Sequence, residues 1–208
     1  MVMLVSGSIN KVKELSGQGA ADLGIILTPN NPNSIDAVVA TGLPFVVDNG
    51  AFSGFNADKF MRLIDKVCRN AKSHLLWVVC PDVVGNAEAT LAHWPWWSAQ
   101  IRARNLPVAF VLQDGQEAFK LPEADAYFIG GSTKWKLSAH AAELAGEVKK
   151  RGKWLHVGRV NSLRRLRVAL DMGADSTDGS SLSKFGDKYL HTFCRWSKHL
   201  HEQPTLFV

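Results

Sequence analysis

Short apolar runs separated by longer amphipathic stretches recur along the whole chain, and that alternation predicts a β/α fold built on a parallel sheet. The apolar runs place strands at Met3–Val5, Leu23–Leu27, Pro44–Val47, Leu75–Val79, Val108–Leu112, Ala126–Ile129, Trp154–Val157 and Ala174–Thr177. The amphipathic stretches place helices at Ala57–Asn70, Ala87–Asn105, Ser138–Arg151, Ser162–Met172 and Lys188–His201, with Pro95 expected to kink or interrupt the second. Eight strands in this rhythm predict a compact (β/α)8 TIM-like barrel. A doubly wound open sheet is the alternative, and no GxGxxG or P-loop sequence favours it.

Polar residues collect where the predicted strands end: Thr28, Asp48, Asp82, Gln113, Gly130 with Gly131, Gly158 with Arg159, and Asp178. Parallel strands bring those ends to one face, where the βα loops of barrels carry their chemistry. The expectation is one rim holding three acids, an amide and two glycine turns.

Composition narrows the setting. A chain of 208 residues that is 46% hydrophobic can bury one core, and no repeat or linker divides it. We therefore expect a single barrel domain over 1–201 with a short tail over 202–208. The net charge of +5 leans toward anionic partners. Cys68, Cys80 and Cys194 form no CxxC pair and no metal-ligand spacing, so neither a metal nor another cofactor is expected, and a reducing cytoplasmic setting fits. No apolar run is long enough for a membrane span.

Each rim residue has an ordinary reading beside a chemical one. Asp48 in DNGAFSGF is either a catalytic acid or base or the cap of a turn before Asn-Gly, and Phe52 could wall a flat ligand. Asp82, stiffened by Pro81, is either a ligand-binding carboxylate or an ordinary helix N-cap or loop salt-bridge partner. Gln113 offers a donor and an acceptor, and Gly130-Gly131 is either a plain turn or a place where backbone N–H groups approach a ligand. Lys134, Lys136, Arg159 and Arg164 are candidate contacts to a nucleic-acid backbone. The HWPWW cluster at 93–97 is expected mainly to pack a helix on the barrel, and His156 is expected to be structural. Asp178, in GADSTDGSS, is the expected nucleophile.

In order, DNGAFSGF, CPD, VLQDG, FIGG, HVGRVNSLRRLRVALDMGAD and STDG resemble the signature series of the tRNA-guanine transglycosylase family, over roughly Pro44 to Ser181. The resemblance implies a (β/α) barrel that swaps guanine in a nucleic acid for a 7-deazaguanine, as in queuosine-type modification. It implies Asp178 as nucleophile and Asp48 as acid/base, with Asp82, Gln113, Gly130, Gly131 and Phe52 binding the base. The family's C-x-C-x-x-C zinc group and tRNA-gripping C-terminal subdomain are missing from the sequence. The resemblance therefore points to the short, zinc-lacking, phage-type enzymes that act on DNA in the host cytoplasm, through a covalent aspartyl-sugar intermediate. The tail QPTLF adds a possible sliding-clamp peptide in Gln203, Leu206 and Phe207. The alternatives are a tRNA-directed transglycosylase, a hydrolytic glycosidase, and a non-catalytic nucleic-acid-binding or clamp-associated protein.

Overall fold

The computed structural model describes residues 1–6, 9–17, 22–30, 34–179, 191–192 and 195–196. In it, strands β1 (Val2–Val5), β2 (Leu23–Leu27), β3 (Phe45–Val47), β4 (Leu75–Val79), β5 (Val108–Leu112), β6 (Ala126–Ile129), β7 (Trp154–Val157) and β8 (Ser176–Asp178) close into one barrel in sequence order. Every pairing is parallel, and β8 closes on β1 with Met3 beside Thr177 and Leu4 beside Asp178. The barrel is the expected architecture, and closure rules out the open sheet.

Helices fill the crossovers: α1 (Ile9–Gly17), α2 (Ile35–Val39), α3 (Ala57–Asn70), α4 (Ala87–Arg102), α5 (Thr133–Lys136), α6 (Ala139–Lys150) and α7 (Leu163–Asp171). Most begin on a side chain that accepts from an otherwise unpaired N–H group. Asn56 caps α3, Asn86 caps α4, Ser138 caps α6 and Ser162 caps α7. The sequence pattern missed α1, α2 and α5, which are short or weakly amphipathic. The predicted helix at Lys188–His201 and the 202–208 tail fall almost wholly outside the described residues.

Two further expectations are corrected. α4 is not interrupted at Pro95, the stronger of the two expected effects, but runs on to Arg102, with its inner face packed where Trp94 meets Phe110 edge-on at 5.1 Å. β8 begins at Ser176, so Asp175 stands just before the strand instead of within it. There its carboxylate accepts from Leu155 N at 2.7 Å and pairs with Lys149 at 2.6 Å, which ties it to the opposite end of the barrel from the rim.

Strand residues alternate between two cores. One set, including Met3, Ile25, Phe45, Val78, Phe110, Tyr127 and Leu155, faces the helices. The other, including Leu4, Val46, Trp77, Val79, Ala109, Val111 and Ala126, fills the barrel interior. The same alternation turns Trp154 and His156 of β7, and Ser176 and Asp178 of β8, toward the interior. Most of the interior is therefore packed with apolar side chains, and polar groups enter it along β7 and β8 and at the C-terminal strand ends.

Phe60 anchors α3 to the outer core, is fully buried, and contacts Phe55 and Trp97. Truncating it leaves a cavity between helix and sheet. Phe60→Ala is expected to lose about 3–5 kcal/mol of stability, measured as a reduced midpoint in urea unfolding.

Candidate active site

A cavity of about 330 Å³ opens at the C-terminal end of the strands, with an apolar floor of Leu4, Ile26, Val79, Val111 and Phe128. Asp48, Asp82, Gln113, Gly130, Gly131, Phe52, Arg159 and Asp178 all line it. The structure thus brings together the residues expected at the rim. Lys134 and Arg164 are exposed away from it.

Each acid is held differently. Asp48 follows β3, and its Oδ1 accepts from Gly50 N at 2.6 Å, so it closes the turn that its sequence suggested while still lining the cavity. Burial pushes its carboxyl up to about 7, partly offset by the Gly50 N–H, and the charges of Asp178 and Asp82 push the same way.

Asp82 follows β4 and, among the described residues, makes neither a helix cap nor a salt bridge. Its Oδ1 accepts from Asn49 Nδ2 at 2.7 Å and its Oδ2 from Gln113 Nε2 at 2.6 Å. Burial raises its carboxyl, and these two amides oppose the rise. Asn49 escaped notice in the sequence because Asn before Gly reads as turn chemistry. It is buried and also spans to Cys80 O at 2.9 Å, so it fixes the strand end that presents Asp82.

Gln113 spends its other end on the backbone, with Oε1 accepting from Gly85 N at 2.9 Å and Gly131 N at 2.8 Å. Gly130 N donates to Leu112 O within the ladder. Both glycine N–H groups are therefore engaged within the protein, and what they contribute to the cavity is shape. At Gly131 φ is +53°, and a Cβ would lie 2.6 Å from the Trp135 ring.

Asp178 ends β8 with both oxygens held. Oδ1 accepts from Arg159 N at 2.9 Å, and Oδ2 lies 3.0 Å from His156 Nε2. Burial acts to raise its carboxyl, yet the His156 hydrogen bond, the Arg159 N–H and the Lys136 charge oppose it, and the group is held below its ordinary range. His156, expected to be structural, is the neighbour of Asp178 that the sequence did not reveal. Its signal was the β7–β8 register, which sets it opposite Ser176.

Lys136 is corrected as a nucleic-acid contact. It is 5% exposed, and its Nζ donates to Gly158 O at 2.7 Å rather than reaching the surface. Burial, with help from Arg159, lowers its ammonium to about 7. Arg159 adopts φ of 58°, donates to Gly131 O, and stacks 4.9 Å from the centre of the Phe52 ring at the cavity mouth. Among the described residues no cluster of His, Cys, Asp and Glu could hold a metal ion, and no helix is long and apolar enough to cross a membrane. Gln203, Leu206 and Phe207 of the possible clamp peptide lie outside the described residues.

No family model matches the chain, and no curated protein matches it. Among solved structures it is similar to one described as "Native KDPGal structure". The two share 13% identity over 97% of this chain and 96% of that chain, with a TM-score of 0.58. The likeness is one of fold.

These findings correct the transglycosylase resemblance, and with it guanine exchange and 7-deazaguanine insertion into DNA. The tRNA-directed and non-catalytic alternatives gain no support from them either. There is a physical reason for the misreading. Any (β/α)8 barrel repeats an apolar strand followed by a polar, glycine-containing turn, so a collinear series of strand-end motifs follows from the architecture as much as from one chemistry.

The raised Asp48 carboxyl makes a stability prediction. The unfolded chain gives up this proton near 3.8, whereas the folded chain keeps it to about 7. Between those values the folded state binds more protons, so this group's contribution to stability is lost as pH rises through the window. Asp48→Asn removes that component, and urea midpoints measured from pH 4 to pH 7.5 should decline less steeply in the variant than in the wild type.

Proposed function

We propose that the protein is an enzyme that transfers the glycosyl group of a small glycoside, with Asp178 as nucleophile and Asp48 as proton donor. The supporting observation is the split between two carboxyls that line one cavity, one kept protonated to about pH 7 and the other held ionised. A carboxylate of lowered basicity is a poor proton acceptor. It is suited instead to attacking, or stabilising, a carbon that develops positive charge.

In the first step an Asp178 oxygen bonds to the anomeric carbon as the bond to the leaving group breaks. The electron pair goes to the leaving atom together with the Asp48 proton. Asp48, now a carboxylate, takes a proton from water or another small acceptor, whose oxygen displaces the Asp178 ester. Two inversions retain configuration at that carbon. Asp82, held on both sides by amides, keeps lone pairs that suit a donor-bearing edge of the substrate, and the apolar floor suits a ring face.

A second reading, carbon–carbon lyase chemistry through an imine, is favoured by the buried amine of Lys136, lowered to about 7. Against it, Lys136 does not line the main cavity and its Nζ is committed to Gly158 O.

The two readings separate by covalent trapping. Activated 2-deoxy-2-fluoro glycosides should label Asp178, found by peptide mapping in a mass spectrometer, and borohydride with pyruvate should label no lysine. A borohydride-stable adduct on Lys136, with Asp178 untouched by the whole glycoside panel, overturns the glycosyl reading. With a turned-over glycoside in hand, Asp178→Ala should cost about 10³-fold or more in kcat. The wild-type rate should fall as pH rises through about 7, where Asp48 loses the proton that it must donate.

A further inference from the structure

The barrel interior below Asp178 holds a polar chain that the proposed reaction does not yet use. Trp154 Nε1 donates to Ser176 Oγ at 2.8 Å, Ser176 Oγ lies 2.9 Å from His156 Nδ1, and His156 Nε2 lies 3.0 Å from Asp178 Oδ2. Ser176 and His156 are 0% and 1% exposed, so these groups satisfy one another rather than water.

The hydrogen bonds fix the direction of the chain. The indole N–H can only donate, so it occupies a lone pair of Ser176 Oγ. The buried Ser176 hydroxyl proton then needs an acceptor, and the one within reach is His156 Nδ1. That leaves the ring proton on Nε2, aimed at Asp178. The ring cannot easily turn out of this arrangement, because Phe128 meets it edge-on at 4.5 Å and Trp77 at 5.2 Å.

We propose that His156 is a positioning residue for Asp178: Ser176 and Trp154 set its tautomer, and its Nε2–H orients the carboxylate with a free lone pair on each oxygen toward the cavity. The role rests on the reading of Asp178 as nucleophile. Asp178 has few other fixed partners. Arg159 N holds Oδ1, the Lys136 ammonium acts from a distance after β6, and Asp48 faces it across the cavity with a like charge when ionised. Of these, only His156 and the Arg159 N–H touch the carboxylate.

Substitutions at His156 can be chosen by shape. Glutamine places its amide N–H near the position of Nε2 and keeps a donor to Asp178, whereas leucine fills the space with none. In His156→Leu the Asp178 carboxyl, followed by ¹³C NMR without substrate, should titrate at higher pH than in the wild type. The acid limb of kcat against pH should move up with it. Turnover at neutral pH should fall about 10- to 100-fold, as expected for a buried charged group stripped of one partner, with KM nearly unchanged. His156→Gln should restore most of both.

A long-range ¹⁵N correlation spectrum should show the Nε2–H tautomer in the wild type and lose that preference in Ser176→Ala. Ser176→Ala also carries the carboxyl titration should His156→Leu not fold. An Nδ1–H tautomer in the wild type, an Asp178 titration unmoved by these variants, or a His156→Gln enzyme as impaired as His156→Leu would overturn the inference. The spectra need no substrate. Absence of glycoside turnover therefore counts against the glycosyl reading alone, and an unmoved titration against His156 alone.

Discussion

A buried carboxylate that stays ionised must have donors fixed in place, and that requirement at Asp178 organises the upper barrel. The side chain sits at the last position of β8, facing inward, because β8 closes on β1 in the register that sets Asp178 beside Leu4. Burial there would ordinarily protonate it. What prevents this are groups from the neighbouring strand β7 and the turn that follows it, His156 Nε2 and the Arg159 N–H. Their positions depend in turn on β7 lying against β8 with His156 opposite Ser176. Barrel closure and the charge state of one acid are therefore a single structural fact.

Across the cavity the same burial has the opposite result. Asp48 has one backbone donor and two acidic neighbours, so its carboxyl moves up instead of down. Asp82 lies between, buried like the others but with an amide on each oxygen. The three acids share a rim and differ in the donors supplied to each. Difference in environment, rather than in residue type, is what lets carboxyls in one site take separate roles.

The strands and the rim were legible in the sequence because both are local. A parallel barrel strand is a short apolar run, and a strand end is the polar residue that follows it. The partners of the rim were not legible, because they are set by register across the sheet. His156 lies 20 residues from Ser176 and 22 from Asp178 in sequence, and nothing near any of the three announces the contact. Asn49 hid for a different reason: its neighbours Asp48 and Gly50 make an ordinary turn, and its link to Asp82 spans 33 residues. Asp175 fell within the expected strand Ala174–Thr177, whereas β8 begins one residue later and the Asp175 carboxylate bonds to Lys149 and to Leu155 N. The motif order that suggested one enzyme family was real as a pattern, but a pattern of barrels. Local signals of this kind report architecture, and chemistry depends on the long-range pairs.

The turn after β7 shows how tightly those pairs are built into the backbone. Arg159 takes a left-handed conformation at φ of 58°, uncommon for a residue with a side chain, and in doing so points its N–H at Asp178 while its guanidinium crosses to Gly131 O and the Phe52 ring. The residue before it must be glycine, since a Cβ at 158 would lie 2.3 Å from the Phe128 ring. That ring is one of the two that bracket His156. A side chain at 158 would thus push Phe128 into the histidine or the turn away from the acid, disturbing one of Asp178's two donors in either case. The strain at Arg159 and the bare backbone at Gly158 have the same cause: two donors from adjacent elements must converge on one carboxylate at the cavity wall.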